Sequence, residues 1–200
     1  MEPEGLKDPF NKRVRFLITF NNGRHLALSD TRKFAKVTLT ETKHIHKSPH
    51  LANLGPEPLE KSFTLNIFIS RLSKRPEWKI KQALMDQTLI AGIGNIYADE
   101  SLWRSDIHPE SKVQKISYIE MKKLFRIIKF TLSKGIDLGG DSMSDYRNIH
   151  GKKGNFQEEH RAYQRTGEKC SKKGCNGIIR RIIVSGRSTH YCDKHQKLRI

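Results

Sequence analysis

Three cysteines and one histidine near the C-terminus have the residue types and spacing of a metal site. They are Cys170, Cys175, Cys192 and His195, in the pattern C-x4-C-x16-C-x2-H. Two close pairs of soft or borderline ligands suit tetrahedral zinc, and four protein ligands leave no open catalytic position. The alternative is three buried free cysteines beside an incidental surface histidine. The spacing favours one structural Zn²⁺, in a segment too short to fold without a metal cross-link.

A basic hairpin is predicted between the two ligand pairs, with strands at residues 178–184 and 188–191. Its charged residues are Arg180, Arg181, Arg187 and Lys194. A rigid ribbon with an arginine at its tip can enter a groove or grip phosphates. The alternative for each arginine is a solvated charge without a specific contact. We expect Arg187, in the turn Ser185-Gly186-Arg187-Ser188, to be the side chain that reaches out.

A glycine-containing turn, Ala91-Gly92-Ile93-Gly94-Asn95, lies between two predicted helices at residues 80–86 and 96–102. Glycines before a helix let a ligand approach the backbone, and the free N–H groups there favour an anion such as phosphate. Asn95 adds an amide donor. By itself such a pair of glycines more often marks an ordinary interhelical turn, but the helices on both sides favour the anion site.

The charge of the chain indicates a polyanionic partner. Lysine and arginine number 38 against 21 aspartates and glutamates, a formal net charge of +17. Residues 151–200 hold 13 basic and 4 acidic residues, so more than half of the surplus lies in the last quarter. A surface that served only solubility would spread its charge evenly. The localised excess favours nucleic acid.

The elements that position these residues begin with a β part. Residues 14–19 and 25–29 read as a hairpin around Asn21-Asn22-Gly23, and a third strand is predicted at 36–40. Two prolines interrupt residues 54–59 and predict a linker. We place the boundary of the β part near residue 55.

A helical bundle is predicted next, because apolar residues take helical spacing from residue 60 to 134. Gly135 is expected to end its last helix as a C-cap glycine, before a polar loop. The predicted domains are 1–55, 56–160 with the loop 136–155, and 161–200. No apolar run reaches the roughly 18–20 residues of a membrane span, residues 1–11 lack a signal-peptide core, and the odd cysteine count suits a reducing compartment, so we expect a cytoplasmic protein.

Several of these segments together resemble bacterial formamidopyrimidine-DNA glycosylase. They are the run from Lys81 to Trp103, Ile107-His108-Pro109, the linker at 54–59 and the terminal finger, within a likeness that covers about residues 14–196. The resemblance implies an α+β protein, with part of a β-sandwich, a helix–two-turn–helix bundle and a β-hairpin zinc finger. It implies base-excision repair of duplex DNA that carries an oxidised purine or an abasic site, with AP lyase activity. It also implies a bacterial, nucleoid-associated monomer.

The resemblance assigns roles to residues already noted. Asn95 and Lys81 correspond to DNA-phosphate contacts, and Tyr97 supports the turn. Arg187 corresponds to the finger arginine, which grips phosphate beside the lesion and is proposed to assist the second elimination.

Two further segments correspond to DNA-contacting parts of the family. In Asp30-Thr31-Arg32-Lys33-Phe34, Arg32 would fill the gap left by the flipped base, and Phe34 would insert as a wedge into the base stack. Lys33, between them, is expected to bind DNA as well. Residues 139–148 resemble the lid that closes over oxidised guanine. The polar side chains expected there to meet the lesion are Ser142, Ser144 and Tyr146.

The sequence departs from the family pattern in its ligands and in its catalyst. The family's first cysteine pair is usually C-x2-C and its fourth ligand a cysteine, and Thr31 stands where the family has proline. The family's nucleophile is an N-terminal proline amine, followed by a catalytic glutamate, with a lysine later in that domain. This chain begins Met1-Glu2-Pro3-Glu4, and the nitrogen of Pro3 lies in a peptide bond. We expect a chain that binds DNA and is inactive alone, with an N-terminal part lost or encoded separately.

Two alternatives remain open. One is a zinc-dependent DNA- or RNA-binding module without catalysis, which would have no use for a void-filling arginine and a wedge. The other is an endonuclease VIII-type glycosylase for oxidised pyrimidines. The length of the loop after Gly139 favours the enzyme that acts on purines.

Overall fold

The chain divides into two compact units, residues 1–48 and 49–200. The computed structural model describes residues 13–48, 50–142 and 152–200. In the first unit, β1 (Val14–Thr19) and β2 (His25–Ser29) form an antiparallel hairpin, so that prediction is confirmed. Gly23 takes a φ of +77° in its turn, the left-handed region that glycine adopts without steric cost.

Residues 36–40, predicted as a third strand, form no β-ladder within the described part of the chain. Val37 is 55% exposed and Leu39 is 99% exposed, so their apolar side chains have no sheet face to pack on. A strand needs a neighbour to take up its backbone hydrogen bonds. The prediction of this strand is wrong. Among the described residues the β part is a two-stranded sheet, followed by a 3₁₀ helix at Thr42–Lys47.

Four α-helices lie in the described part of the second unit, which confirms the helical spacing. They are α1 (Leu65–Leu72), α2 (Ile80–Met85), α3 (Asn95–Ser105) and α4 (Tyr118–Asp137). Ser117 begins α4 with a capping box: its hydroxyl accepts from the Glu120 N–H, and the Glu120 carboxylate accepts from the Ser117 N–H. The fully buried core between the helices includes Phe68, Leu72, Leu84, Ile90, Leu102, Leu124 and Ile128. No described helix is long and apolar enough to cross a membrane.

Gly135 lies inside α4 and does not end it, contrary to the expectation of a C-cap glycine. A Cβ at this position would lie 2.5 Å from Tyr97 Oη, so only glycine lets the Tyr97 ring approach the helix. The helix ends two residues later, and Gly139 and Gly140 take the left-handed conformations, with φ of +74° and +88°. Gly135 therefore serves helix packing.

The finger is an antiparallel hairpin of β3 (Ile179–Val184) and β4 (Arg187–Cys192), which confirms the predicted strands. Its two-residue turn has positive φ at Ser185 (48°) and Gly186 (74°), the geometry that matches the twist of paired strands. Arg187 pairs with Val184 as the first residue of β4, so it lies beside the turn and not within it.

Glu100 connects the helices to the segment that leads into the finger. Its buried carboxylate accepts backbone hydrogen bonds from Arg161 (2.9 Å), Ala162 (2.8 Å) and Tyr163 (3.0 Å). Arg104 approaches the same carboxylate to 2.5 Å. Charge-assisted bonds of this kind are about twice as strong as neutral ones. Helices and finger therefore pack as one unit.

Candidate nucleic-acid interface and metal centre

The three cysteines and the histidine come together in the finger, with their ligand atoms all within 4.8 Å of one another. Cys175 Sγ lies 3.6 Å from Cys192 Sγ, and His195 Nδ1 lies 3.4 Å from Cys170 Sγ and 3.6 Å from Cys175 Sγ. Ligand atoms of a tetrahedral zinc with sulfur and nitrogen ligands are about 3.5–3.8 Å apart. The measured distances in this cluster therefore fit a tetrahedral zinc ion that is held by protein ligands alone.

The finger backbone is shaped around these ligands. Cys192 is the last residue of β4, and Cys170 and Cys175 lie in the loop before β3. Gly177 follows that loop, where a Cβ would lie 2.5 Å from Cys192 Sγ. Burial raises the pKa of the Cys170 thiol to about 12, and the thiols of its neighbours add to the effect. A bound cation would replace the thiol protons.

The glycine turn before α3 leaves room for a ligand. A Cβ at Gly92 or Gly94 would meet nothing within 4 Å. The Gln87 side chain holds the turn from inside: its Oε1 accepts from the Gly92 N–H (2.8 Å), and its Nε2 donates to the Ile93 carbonyl (3.0 Å). Gly94 caps α3 without a side-chain acceptor, so the first N–H groups of the helix remain for an anion.

Lys81 differs from the expected direct phosphate contact, because its side chain has no exposed surface. Its ammonium lies 2.6 Å from Asp99 Oδ1 and donates to Thr189 Oγ1 (2.8 Å) and to the Ser188 carbonyl (3.1 Å). Asp99 Oδ2 in turn accepts from the His190 N–H at 2.9 Å. Lys81 and Asp99 thus attach β4 of the finger to α2 and α3.

Asn95 and Tyr97 lie in the first turn of α3, beside the contacts that attach β4 to α2 and α3. The half-buried Asn95 donates one amide hydrogen to the Ser188 carbonyl (3.1 Å), which leaves its second amide hydrogen for another acceptor. Tyr97 packs against Phe156, with ring centroids 4.8 Å apart, and against Gly135. Burial raises the pKa of the Tyr97 hydroxyl, as does the nearby Asp141 carboxylate.

Arg187 is exposed and directly precedes Ser188, the residue that both Lys81 and Asn95 contact. The other hairpin arginines have protein partners: Arg180 binds Asp193 at 3.2 Å, and Arg181 donates to Ser188 Oγ at 2.8 Å. The structure therefore holds Lys81 and Asn95 against Ser188, the residue that follows Arg187, with the Lys81 side chain beneath the surface.

In the first unit, Asp30 organises the turn that carries the expected wedge. Its carboxylate accepts the N–H groups of Ala35 (2.7 Å) and Arg32 (2.9 Å), and the hydrogen bond from Ala35 is the main cause of its lowered pKa. Lys33 takes a φ of +60°. Phe34 is 76% exposed, and the Arg32 guanidinium lies 5.8 Å from its ring centroid. Both side chains are presented to solvent.

Of the expected lesion loop, Ser142 is described, whereas Ser144 and Tyr146 lie outside the described residues. Ser142 is buried, its N–H donates to Gln157 Oε1 (3.1 Å), and its hydroxyl accepts from the Gly154 N–H (2.8 Å). The hydroxyl is therefore used within the protein.

The residues that sequence reasoning missed are buried acids and packing glycines. Asp99 and Glu100 are fully buried, and Gly177 makes room for a cysteine. The signal in the sequence was two adjacent acids in the middle of a helix that otherwise lies in the core.

Residues 54–147 match the formamidopyrimidine-DNA glycosylase H2TH domain. The formamidopyrimidine-DNA glycosylase of Ligilactobacillus salivarius is 40% identical over an alignment of 200 positions that covers 98% of this chain and 71% of that protein. This chain belongs to the formamidopyrimidine-DNA glycosylase family.

Two solved structures of this family have the same fold. The MutM (Fpg) protein of Thermus thermophilus superposes with a TM-score of 0.83 at 34% identity, over 92% of this chain and 69% of that one. A complex of Lactococcus lactis Fpg with DNA that contains an abasic site superposes with a TM-score of 0.78 at 38% identity. The superposition covers 86% of this chain and 62% of that one. The chain therefore spans between 62% and 71% of the length of these formamidopyrimidine-DNA glycosylases.

Proposed function

We propose that this chain is the DNA-gripping part of a base-excision repair glycosylase, and that it binds duplex DNA with an oxidised purine or an abasic site. One observation carries the proposal. Lys81 and Asn95 bind the backbone carbonyl of Ser188, which places the glycine turn before α3 next to the exposed Arg187. The Lactococcus lactis relative in complex with abasic-site DNA supports the same ligand.

The grip would act on the DNA backbone. The open N–H groups at the start of α3 and the free amide hydrogen of Asn95 can bind one phosphate. The Arg187 guanidinium can bind a neighbouring phosphate through a bidentate contact. In this proposal Lys81 is a supporting residue that fixes the spacing between the two contacts. Phosphate contacts hold the protein in register without reading sequence.

The first unit would contribute the insertion into the base stack. Arg32 and Phe34 are held out by the Asp30 turn, and an exposed aromatic ring beside a guanidinium is suited to fill the space of a flipped base. Lys33 would add a phosphate contact nearby.

Cys170, Cys175, Cys192 and His195 would hold one structural Zn²⁺. The metal supplies a cross-link that keeps the finger folded and β4 in place, and the full set of protein ligands gives it no catalytic position. Arg187, at the far end of β4, would then hold the phosphate beside the lesion and stabilise its charge during the second elimination.

The test is the salt dependence of binding to an abasic-site duplex, measured by fluorescence anisotropy. The slope of log K against log salt should be steep, and Arg187→Ala should reduce it by about one, since each lost phosphate contact removes a counterion-release term of roughly 0.9. Asn95→Ala should weaken intact and abasic duplexes alike.

Lys112→Ala is the matched control, because Lys112 already pairs with Glu77 at 3.0 Å. This variant should leave the slope unchanged. A flat salt dependence, or equal slopes for the Arg187 and Lys112 variants, would overturn the proposed grip.

A further inference from the structure

Asp106 ends α3 in an unusual backbone conformation. It takes a φ of +69° and ψ of 19°, the left-handed position after a helix that glycine fills at the least steric cost. Aspartate tolerates this region better than most residues but still at a cost relative to glycine. The ion pairs that this carboxylate forms with two lysines offset that cost.

The Asp106 carboxylate faces the metal ligands from the helix side. It binds the ammonium of Lys172, which lies in the loop between Cys170 and Cys175, and the ammonium of Lys123 on α4. Its Oδ1 also lies 3.7 Å from His195 Nε2. Asp106 thus contacts both the first cysteine loop and the histidine ligand.

The His195 ring has one nitrogen for the metal and one for the helix. Its Nδ1 faces the Cys170 and Cys175 thiols, whereas its Nε2 lies 3.1 Å from the Trp103 carbonyl. When Nδ1 coordinates a metal, Nε2 carries the proton and donates it to that carbonyl. The Trp103 ring packs edge-on against the imidazole, with centroids 5.2 Å apart.

We propose that Asp106 is an outer-sphere residue of the zinc site, which orients His195 together with the Trp103 carbonyl and holds Lys172 beside the thiolates. This inference rests on the proposed zinc site. Three thiolates and one neutral histidine leave a bound Zn²⁺ with one net negative charge, which a fixed ammonium offsets. Lys172 lies within electrostatic range of Cys175 and Cys192. The C-terminal end of α3 would thus stabilise the metal, whereas its N-terminal end contributes to the DNA grip.

The test compares zinc release from Asp106→Asn and Asp106→Gly with that from the unchanged chain, measured with a colorimetric chelator. Loss of an outer-sphere partner typically weakens metal binding by roughly 10- to 100-fold, and we expect release to accelerate within that range. The Co²⁺-loaded variants should show shifted ligand-field bands, because the histidine is no longer held in one orientation.

Asp106→Gly separates this role from a purely structural one. Glycine removes the carboxylate but relieves the left-handed backbone, so the thermal stability of the helices should be kept or raised while zinc retention falls. Glu168→Gln is the matched control: it removes a charge near Cys170, from an exposed pair with Arg165, and should leave release unchanged.

Equal zinc release from both Asp106 variants and the unchanged chain would overturn the inference while leaving the zinc site intact. A chain that is purified without chelator and contains no zinc would overturn the zinc site and this inference together, whatever the outcome of the DNA-binding test.

Discussion

Burial decides what Lys81 does. The sequence places a basic residue at the start of α2, the helix before the glycine turn, where an exposed lysine is expected to contact DNA. In the folded protein its ammonium is enclosed by Asp99, Thr189 and the Ser188 carbonyl. Burial lowers the pKa of Lys81, and the Asp99 carboxylate opposes that shift. A buried pair of this kind fixes geometry well, but each charge depends on the other.

Lys81→Met should therefore lower the free energy of unfolding by about 3–5 kcal/mol, because it leaves the Asp99 carboxylate buried without its partner. Chemical denaturation measures this. Lys79→Met, two residues earlier in the chain, is the control, since its pair with Glu110 is partly exposed and should contribute less than about 1 kcal/mol. Adding Asp99→Leu to the Lys81 variant should restore part of the loss. Equal losses at Lys79 and Lys81 would contradict the assigned role.

At the scale of elements, α4 depends on a close approach that its own sequence does not reveal. In an ordinary helix, replacing a glycine such as Gly135 with alanine would raise the stability of the helix by roughly 1 kcal/mol. Here a Cβ would lie 2.5 Å from Tyr97 Oη and 2.6 Å from its ring. Through Tyr97 the last turns of α4 support the first turn of α3, which carries the candidate phosphate site.

Gly135→Ala should destabilise the protein by about 1–3 kcal/mol, because the Tyr97 ring must shift out of a packed site. Thermal unfolding checks the sign. Ser133→Ala, at an exposed position of the same helix, should be neutral or slightly stabilising. In a Tyr97→Leu background the cost of the alanine should shrink, and an undiminished cost would mean that the contact with Tyr97 is not its cause.

At the scale of the whole molecule, we expect DNA binding and chemistry to be separable in a polypeptide of these 200 residues. In the proposed function, the charge of +17, the finger arginine and the turn before α3 all serve attraction to DNA. Attack on the sugar carbon of an abasic site needs an unprotonated amine of moderate pKa. The nitrogen of Pro3 is part of a peptide bond, so it cannot act as such an amine.

A 200-residue polypeptide of this sequence should therefore retain an abasic duplex on a gel but form a covalent adduct far more slowly than the relative when borohydride is added to trap a Schiff base. The Lactococcus lactis relative, assayed beside it, serves as the positive control for trapping. An adduct that forms at the rate of the relative would show that an amine within these 200 residues is the nucleophile.

The sequence by itself determined the features that depend on local pattern. Ligand spacing indicated the Cys170, Cys175, Cys192 and His195 cluster, and alternation and helical periodicity indicated both hairpins and the helices. Tertiary structure decided the rest, because burial and close approach depend on residues far apart in the chain. It buried Lys81 against Asp99, placed Gly135 under Tyr97 and left residues 36–40 without a partner strand among the described residues. A short-range pattern carries no information on which surface another element will cover.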